Sequence, residues 1–236
     1  MNYYWMYYLA TFFLAYAEKN PKVALVALGF FVMRPWLPDP VVIVKNLSRI
    51  SRLRRLSSIN TANAPARRDL GLAYLEMRMH GTALHWLDEA KKLDPKNLEI
   101  EYLRGLALLK RGASEEALRA FGAAVGIDPD KGEPFSSQSA RGAERTFRRY
   151  GEAYLGAADA LERLGRLPQA EEALEVSSGY NTSSLEPLVR LSRVRKRQGN
   201  GDGARDAMRE ARRTWGQLPG FMKRKQFGLY VRALLG

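Results

Sequence analysis

The distribution of apolar and polar positions changes character along this chain. Residues 3–17 (YYWMYYLATFFLAYA) and 23–33 (VALVALGFFVM) are nearly unbroken apolar runs, separated by EKNPK. After the breaker PWLPDP, the segment VVIVKNLSRISRLRRLSSIN places Ile43, Leu47, Ile50 and Leu53 on one helical side and Lys45, Arg49, Arg52 and Arg55 on another. From residue 64 to 218 apolar residues recur at helical spacing in short segments punctuated by Gly and Pro. The tail, QLPGFMKRKQFGLYVRALLG, carries Phe221, Phe227, Tyr230, Val231 and Leu234 on one side of a final helix. The pattern predicts an all-α chain: an apolar helical hairpin over 1–37, a Pro-rich breaker and basic amphipathic helix over 38–63, short helices over 64–218, and a last helix over 219–236.

Within the helical region the sequence repeats itself. Gly71, Tyr74, Ala83, Leu87, Ala90 and Pro95 return as Gly105, Leu108, Ala117, Phe121, Ala124 and Pro129, each 34 residues later. Gly112 and Ala117 return as Gly165 and Ala170 after 53 residues, and as Gly199 and Ala204 after a further 34. The units are therefore 64–97, 98–131, 151–184 and 185–218, with an insertion at 132–150. Small residues at Gly71, Ala83 and Ala90 let antiparallel helices approach, and large ones such as Tyr74 and Leu87 fill the space between hairpins. Pro95 and Pro129 end the second helix of their units. The third unit lacks that closing proline, and the fourth has Arg195 where a large apolar residue is usual. The insertion opens with Gly, Pro and Ser and then turns helical in composition, which predicts a loop that lengthens the first helix of the third unit.

These residues resemble the tetratricopeptide repeat (TPR), a 34-residue helix–turn–helix unit with small and large residues in this order and a closing proline. The resemblance covers residues 64–218 and implies an α-solenoid of about four hairpins, with 219–236 covering the stacking face of the last. It also implies a partner segment held in a groove lined by the first helix of each hairpin. On this chain the groove positions fall on Arg68, Leu72 and Leu75 in unit one, Tyr102, Leu106, Leu109 and Lys110 in unit two, Leu155 and Asp159 in unit three, and Arg193, Lys196 and Arg197 in unit four. Chaperone-binding relatives clamp a terminal carboxylate with polar side chains where this chain has Leu72 and Leu106, so that clamp is absent. The expected partner is a protein segment, apolar at one end and acidic where it meets Arg193, Lys196 and Arg197.

Charge sharpens this reading. The net charge is +13, and both ends are basic: eight Lys/Arg against two Asp/Glu in residues 1–60, and thirteen against three in residues 187–236. Each N-terminal apolar run is short of the roughly 20 residues that span a bilayer, but two in tandem form a hairpin that spans or re-enters. Tyr3, Tyr4, Trp5, Tyr7 and Tyr8, with Trp36 on the second helix, suit the membrane–water interface. Lys45, Arg49, Arg52, Arg54 and Arg55 suit anionic headgroups, at about 1 kcal/mol each near the surface, or the solvated side of a helix that packs on the first repeat. The juxtamembrane basic excess predicts that the repeats stay in the cytoplasm, here of a bacterial inner membrane.

The sequence offers little for chemistry. It has no cysteine, and its two histidines, His80 and His85, are five apart and on different helix sides. RQGNGDGARD lacks the Lys-Ser/Thr of a phosphate loop. No catalytic residue, metal site or cofactor is expected. The alternative to an adaptor is a nucleic-acid-associated surface built from RLSRVRKRQG and MREARRTWGQLPGFMKRK. Only Trp215 and Phe221 are interleaved there as stacking platforms, which disfavours it.

Overall fold

The computed structural model describes Asn20, Lys22, residues 40–136 and residues 149–235. The apolar hairpin expected over 1–37, with Trp5 and Trp36, lies outside the described residues except for Asn20 and Lys22. No helix among the described residues is long and apolar enough to cross a membrane. The chain divides into two compact units, 1–48 and 49–236, with the division inside helix α1 (Pro40–Ile59). In the first unit the described part of α1 exposes Val44 and Leu47.

The second unit is helical throughout its described residues, with no strand among them. Beyond α1 it comprises α2 (Ala64–Glu76), α3 (His80–Leu93), α4 (Leu98–Arg111), α5 (Ser114–Val125), α6 (Tyr150–Arg163), α7 (Leu167–Tyr180), α8 (Glu186–Arg197), α9 (Gly201–Gln217) and α10 (Gly220–Leu235). Successive helices pair as antiparallel hairpins, and each hairpin packs on the next. The chain marks these helices locally. Asn63, Asn97 and Asn200 cap α2, α4 and α9 by accepting backbone N–H bonds, and Pro65, Pro168 and Pro187 lie in the first turns of α2, α7 and α8. The turns inside the last three hairpins use Gly112, Gly165 and Gly199 at positive φ, and the first uses Arg78 at φ 59°.

Small residues on the first helices match large ones on the second. An added Cβ at Gly71 would lie 2.5 Å from Leu87 Cγ, and one at Gly105 would lie 2.7 Å from the Phe121 ring. The same ring touches the next hairpin at Gly156, where a Cβ would lie 2.5 Å from its Cζ. Phe121 thus fills the seam between the second and third hairpins, fully buried. Arg195, in its unusual apolar slot, reaches across its hairpin junction to Glu171 at 2.7 Å and Glu175 at 2.5 Å, so an ion-pair cluster replaces the missing hydrophobe.

The two ends are covered differently. At the N-terminal end Ile50 and Leu53 of α1 are buried in one cluster with Leu70, Ala73 and Tyr74. Arg54 donates to the Tyr74 hydroxyl at 2.5 Å, and Arg49 pairs with Glu76 at 3.6 Å. The buried stripe of α1 follows Ile50, Leu53 and Ser57, and Leu47, expected on the apolar side, is exposed because it falls off that stripe by about a quarter turn. At the C-terminal end Ala233 is buried with Leu185, Leu188 and Met208, and Trp215 stacks on Tyr230 at 4.2 Å.

The insertion departs from expectation. A 3-10 turn at Pro129–Lys131 follows α5, and Phe135 is buried edge-on against Tyr154 at 6.0 Å. Helix α6 begins at Tyr150, the last residue of the insertion, with Arg149 outside it at φ −103° and ψ 28°, so among the described insertion residues only Tyr150 extends α6. Residues 137–148 lie outside the described residues.

Candidate partner-binding surface

The first helices α2, α4, α6 and α8 present structurally equivalent positions that change chemistry along the array. One position reads Leu72, Leu106, Asp159 and Arg193; a second reads Leu75, Leu109, Glu162 and Lys196; a third reads Glu76, Lys110, Arg163 and Arg197. Leu72, Leu75, Leu106 and Leu155 are partly buried, packed on the core from above while keeping an exposed side. They form an apolar patch on the first hairpins that extends onto α6. Tyr102 and Leu109, expected as groove contacts, are instead buried, at 5% and 2% exposure, and support the surface from beneath. Packing displaces them because both side chains fall between neighbouring hairpins.

Several charges on this face are already used within the chain. Arg68 pairs with Glu99 on the next first helix at 2.9 Å and with Asp69 at 2.9 Å. Tyr102 donates to Glu152 at 2.9 Å, and the Arg149 guanidinium sits 5.7 Å from the Tyr102 ring centre. Burial, with the Glu152 carboxylate beside it, pushes the Tyr102 hydroxyl well above the usual phenol range. Arg163 donates to the Leu109 carbonyl at 2.9 Å and to Asp159 at 3.2 Å. Arg190 binds Glu162 at 2.6 Å and Asp159 at 3.4 Å. Asp159 and Glu162 are therefore both neutralised from inside.

The fourth hairpin differs. Arg193, Lys196 and Arg197 are exposed on α8, and among the described residues no ion pair engages any of them; Lys110 on α4 is likewise exposed. The sequence pattern identified these cations, but it missed Arg190 and Arg149, whose contacts with Glu162 and with the Tyr102 ring span 28 and 47 residues and carry no local signal. On α1, Lys45, Arg52 and Arg55 are exposed, whereas Arg49 and Arg54 are turned onto the first hairpin.

His80 is held below its ordinary pKa by burial, with Lys110 and Arg78 adding to the effect, and no group of His, Asp and Glu among the described residues has the geometry of a metal site. An array of paired helices with one variable face and conserved-looking turns is the arrangement the periodicity implied.

Residues 66–131 match the tetratricopeptide repeat family. Solved TPR-like structures extend that likeness to the fold of the chain. A crystal structure of MamA aligns with a TM-score of 0.59 at 17% identity, covering 71% of this chain and 87% of that one. MamA 41-end from Desulfovibrio magneticus RS-1 aligns at 0.58 and 15% identity, covering 72% and 85%. YrrB, described as a TPR protein with an unusual peptide-binding site, aligns at 0.55 and 15% identity, covering 86% and 91%. At these identities the likeness is one of fold. No curated protein sequence matches the chain. The all-α TPR-like architecture is thus supported from the sequence and from the coordinates.

Proposed function

We propose that the chain is a membrane-tethered TPR adaptor that holds a segment of a partner protein on the face of α2, α4, α6 and α8. The observation that carries this reading is the gradient along that face. Leu72 and Leu106 offer apolar contact, Asp159 and Glu162 are already neutralised by Arg163 and Arg190, and Arg193, Lys196 and Arg197 remain for an incoming carboxylate. The bound segment is apolar where it crosses the first two hairpins and acidic at the fourth. The tether is the apolar stretch of residues 1–37, with the basic residues of α1 beside the headgroups and the repeats on the cytoplasmic side of a bacterial inner membrane. The peptide-binding site named for YrrB lends the reading a precedent on the same fold.

The test is site-specific photocrosslinking of the full-length chain in its host, with a photoreactive residue at Leu106 or at Arg193. The same partner segment is expected at both positions, with Asp or Glu at the Arg193 end, and the triple variant Arg193→Glu/Lys196→Glu/Arg197→Glu loses it. Unrelated partners at the two positions, or a partner retained by the triple variant, would overturn the groove reading. Release of the chain from membranes by a high-salt wash would overturn the tether.

A further inference from the structure

Helix α10 is apolar on two sides, and the fold uses one of them. Its inner side buries Ala233 and packs Met222, Leu229 and Tyr230 on the fourth hairpin. Its outer side turns Phe227, Val231 and Leu234 outward, spaced four and three residues apart, with Phe221 one turn and a half earlier. Phe221 is 65% exposed, Phe227 59% and Leu234 51%. Three large apolar side chains left exposed on one short helix call for a cover.

The charges around this stripe state what the cover is. α10 contains no Asp or Glu, and Arg224, Lys225 and Arg232 are exposed on it, while Lys223 donates to the Gly216 carbonyl at 3.2 Å. Exposed Arg212 and Arg213 of α9 add to the same end of the array. A second copy docked stripe to stripe would press these cations together, so the complementary surface is anionic. Nucleic acid fits less well. The face of Trp215 that could take a base is stacked on Tyr230, nearly parallel at 6°, and Lys223 lies 6.0 Å from the same ring. Exposed Phe, Val and Leu flanked by cations are the makings of a helix lying in the plane of a bilayer interface.

We propose that the outer side of α10 is a peripheral membrane contact that lays the C-terminal end of the array on anionic lipid. It goes beyond the N-terminal tether and is independent of it, because it rests on α10 alone. The stripe enters the acyl boundary while Arg224, Lys225 and Arg232 meet lipid phosphates, so binding needs both the apolar and the basic residues.

The chain has no cysteine, so a single introduced thiol reports its own surroundings. Gly228 lies on the outer side of α10 with nothing within 4 Å of an added Cβ, and Gly179 on α7 is equally open. The full-length chain carrying Gly228→Cys, labelled with an environment-sensitive dye, is mixed with vesicles of phosphatidylcholine alone or with added phosphatidylglycerol. A shift of emission to shorter wavelength is expected only with the anionic vesicles, and none from Gly179→Cys. Arg224→Glu/Lys225→Glu in the same background lowers the concentration-dependent shift by roughly thirtyfold or more, and Phe227→Glu/Leu234→Glu abolishes it. Thermal melts confirm that each variant folds. No shift at Gly228→Cys, or the same shift with phosphatidylcholine alone, would overturn the proposal; a shift produced by an oligonucleotide instead of lipid would reassign the face to nucleic acid. Co-sedimentation through residues 1–37 persists in all α10 variants, so failure of this contact is distinguishable from failure of the tether.

Discussion

Gly156→Ala is expected to destabilise the array, and the size of the effect depends on Phe121. The alanine methyl would lie 2.5 Å from Phe121 Cζ and 2.7 Å from Cε1, where ordinary contacts begin near 3.4 Å, so a shift of about 1 Å is required. The ring has nowhere to go: the same Cε1–Cζ end also lies against Gly105, where an added Cβ would be only 2.7 Å from Cε1, and Tyr102 is tilted against the ring at 6.2 Å. Overpacking of this kind costs about 1–3 kcal/mol. Alanine recovers up to about 1 kcal/mol by its better helix propensity. The net loss is therefore about 1 kcal/mol, which lowers Tm by about 2–4 °C in a chain of this size. With Phe121→Leu already present the clash disappears and the propensity gain remains, so Gly156→Ala changes sign and stabilises by up to about 1 kcal/mol. The assay is a double-mutant cycle by urea titration and far-UV circular dichroism. Additive effects of the two substitutions would refute the claim that one ring locks the two hairpins together.

Two further expectations follow from the same geometry. Arg78 adopts φ 59° where the other hairpins place glycine, so Arg78→Gly relieves a left-handed strain of about 1–2 kcal/mol at an entropic cost of about 0.5–1 kcal/mol; a rise in Tm of about 2 °C is expected, and a fall would show that contacts of the Arg78 side chain outweigh its backbone. Glu101 is 4% exposed and joins α3 to α4 by accepting from Lys91 at 2.5 Å and Arg104 at 2.8 Å, while Arg104 also reaches Asp88 at 2.7 Å. Glu101→Gln leaves two cations facing one neutral amide and is expected to cost about 2 kcal/mol in urea unfolding, against a negligible change for the exposed pair Lys92–Glu89 disrupted by Glu89→Gln.

The helical hairpins were legible because repetition supplies several independent readings of one pattern. Gly71 and Leu87 predict Gly105 and Phe121, and each pair meets in space as its spacing implied. What the sequence concealed lies between repeats or in exceptions to them. The turn at Arg78 carries no glycine to announce it, and only its register against Gly112, Gly165 and Gly199 identifies it. Phe135 looks like loop chain yet is buried on Tyr154, because an insertion can return to a core that periodicity says nothing about. On the partner-binding face the types of residue were readable and their availability was not. Asp159 reads as an open acid until Arg190 is placed beside it, and Tyr102 reads as a groove aromatic until its hydroxyl is found bonded to Glu152. Charge neutralisation is a property of pairs, and pairs separated by tens of residues leave no trace in a local window.

The start of α8 is finished by a residue from the far end of the chain. Helices α2, α4 and α9 each carry an asparagine at their own threshold, but Leu185 at the threshold of α8 has no capping side chain, and the only local bond is a long one from the Glu186 N–H to Ser184 Oγ at 3.4 Å among the described residues. The Leu185 N–H donates instead to Gln226 Oε1 at 2.7 Å, and Gln226 Nε2 donates to the Ser183 carbonyl at 2.8 Å. The fourth hairpin thus takes part of its capping from α10, 41 residues further along the chain. The cationic helix that carries Arg193, Lys196 and Arg197 is thereby braced at its first turn by α10. Gln226→Ala would leave the Leu185 N–H without that acceptor and loosen the fourth hairpin, so a change in α10 reaches the basic end of the partner-binding face.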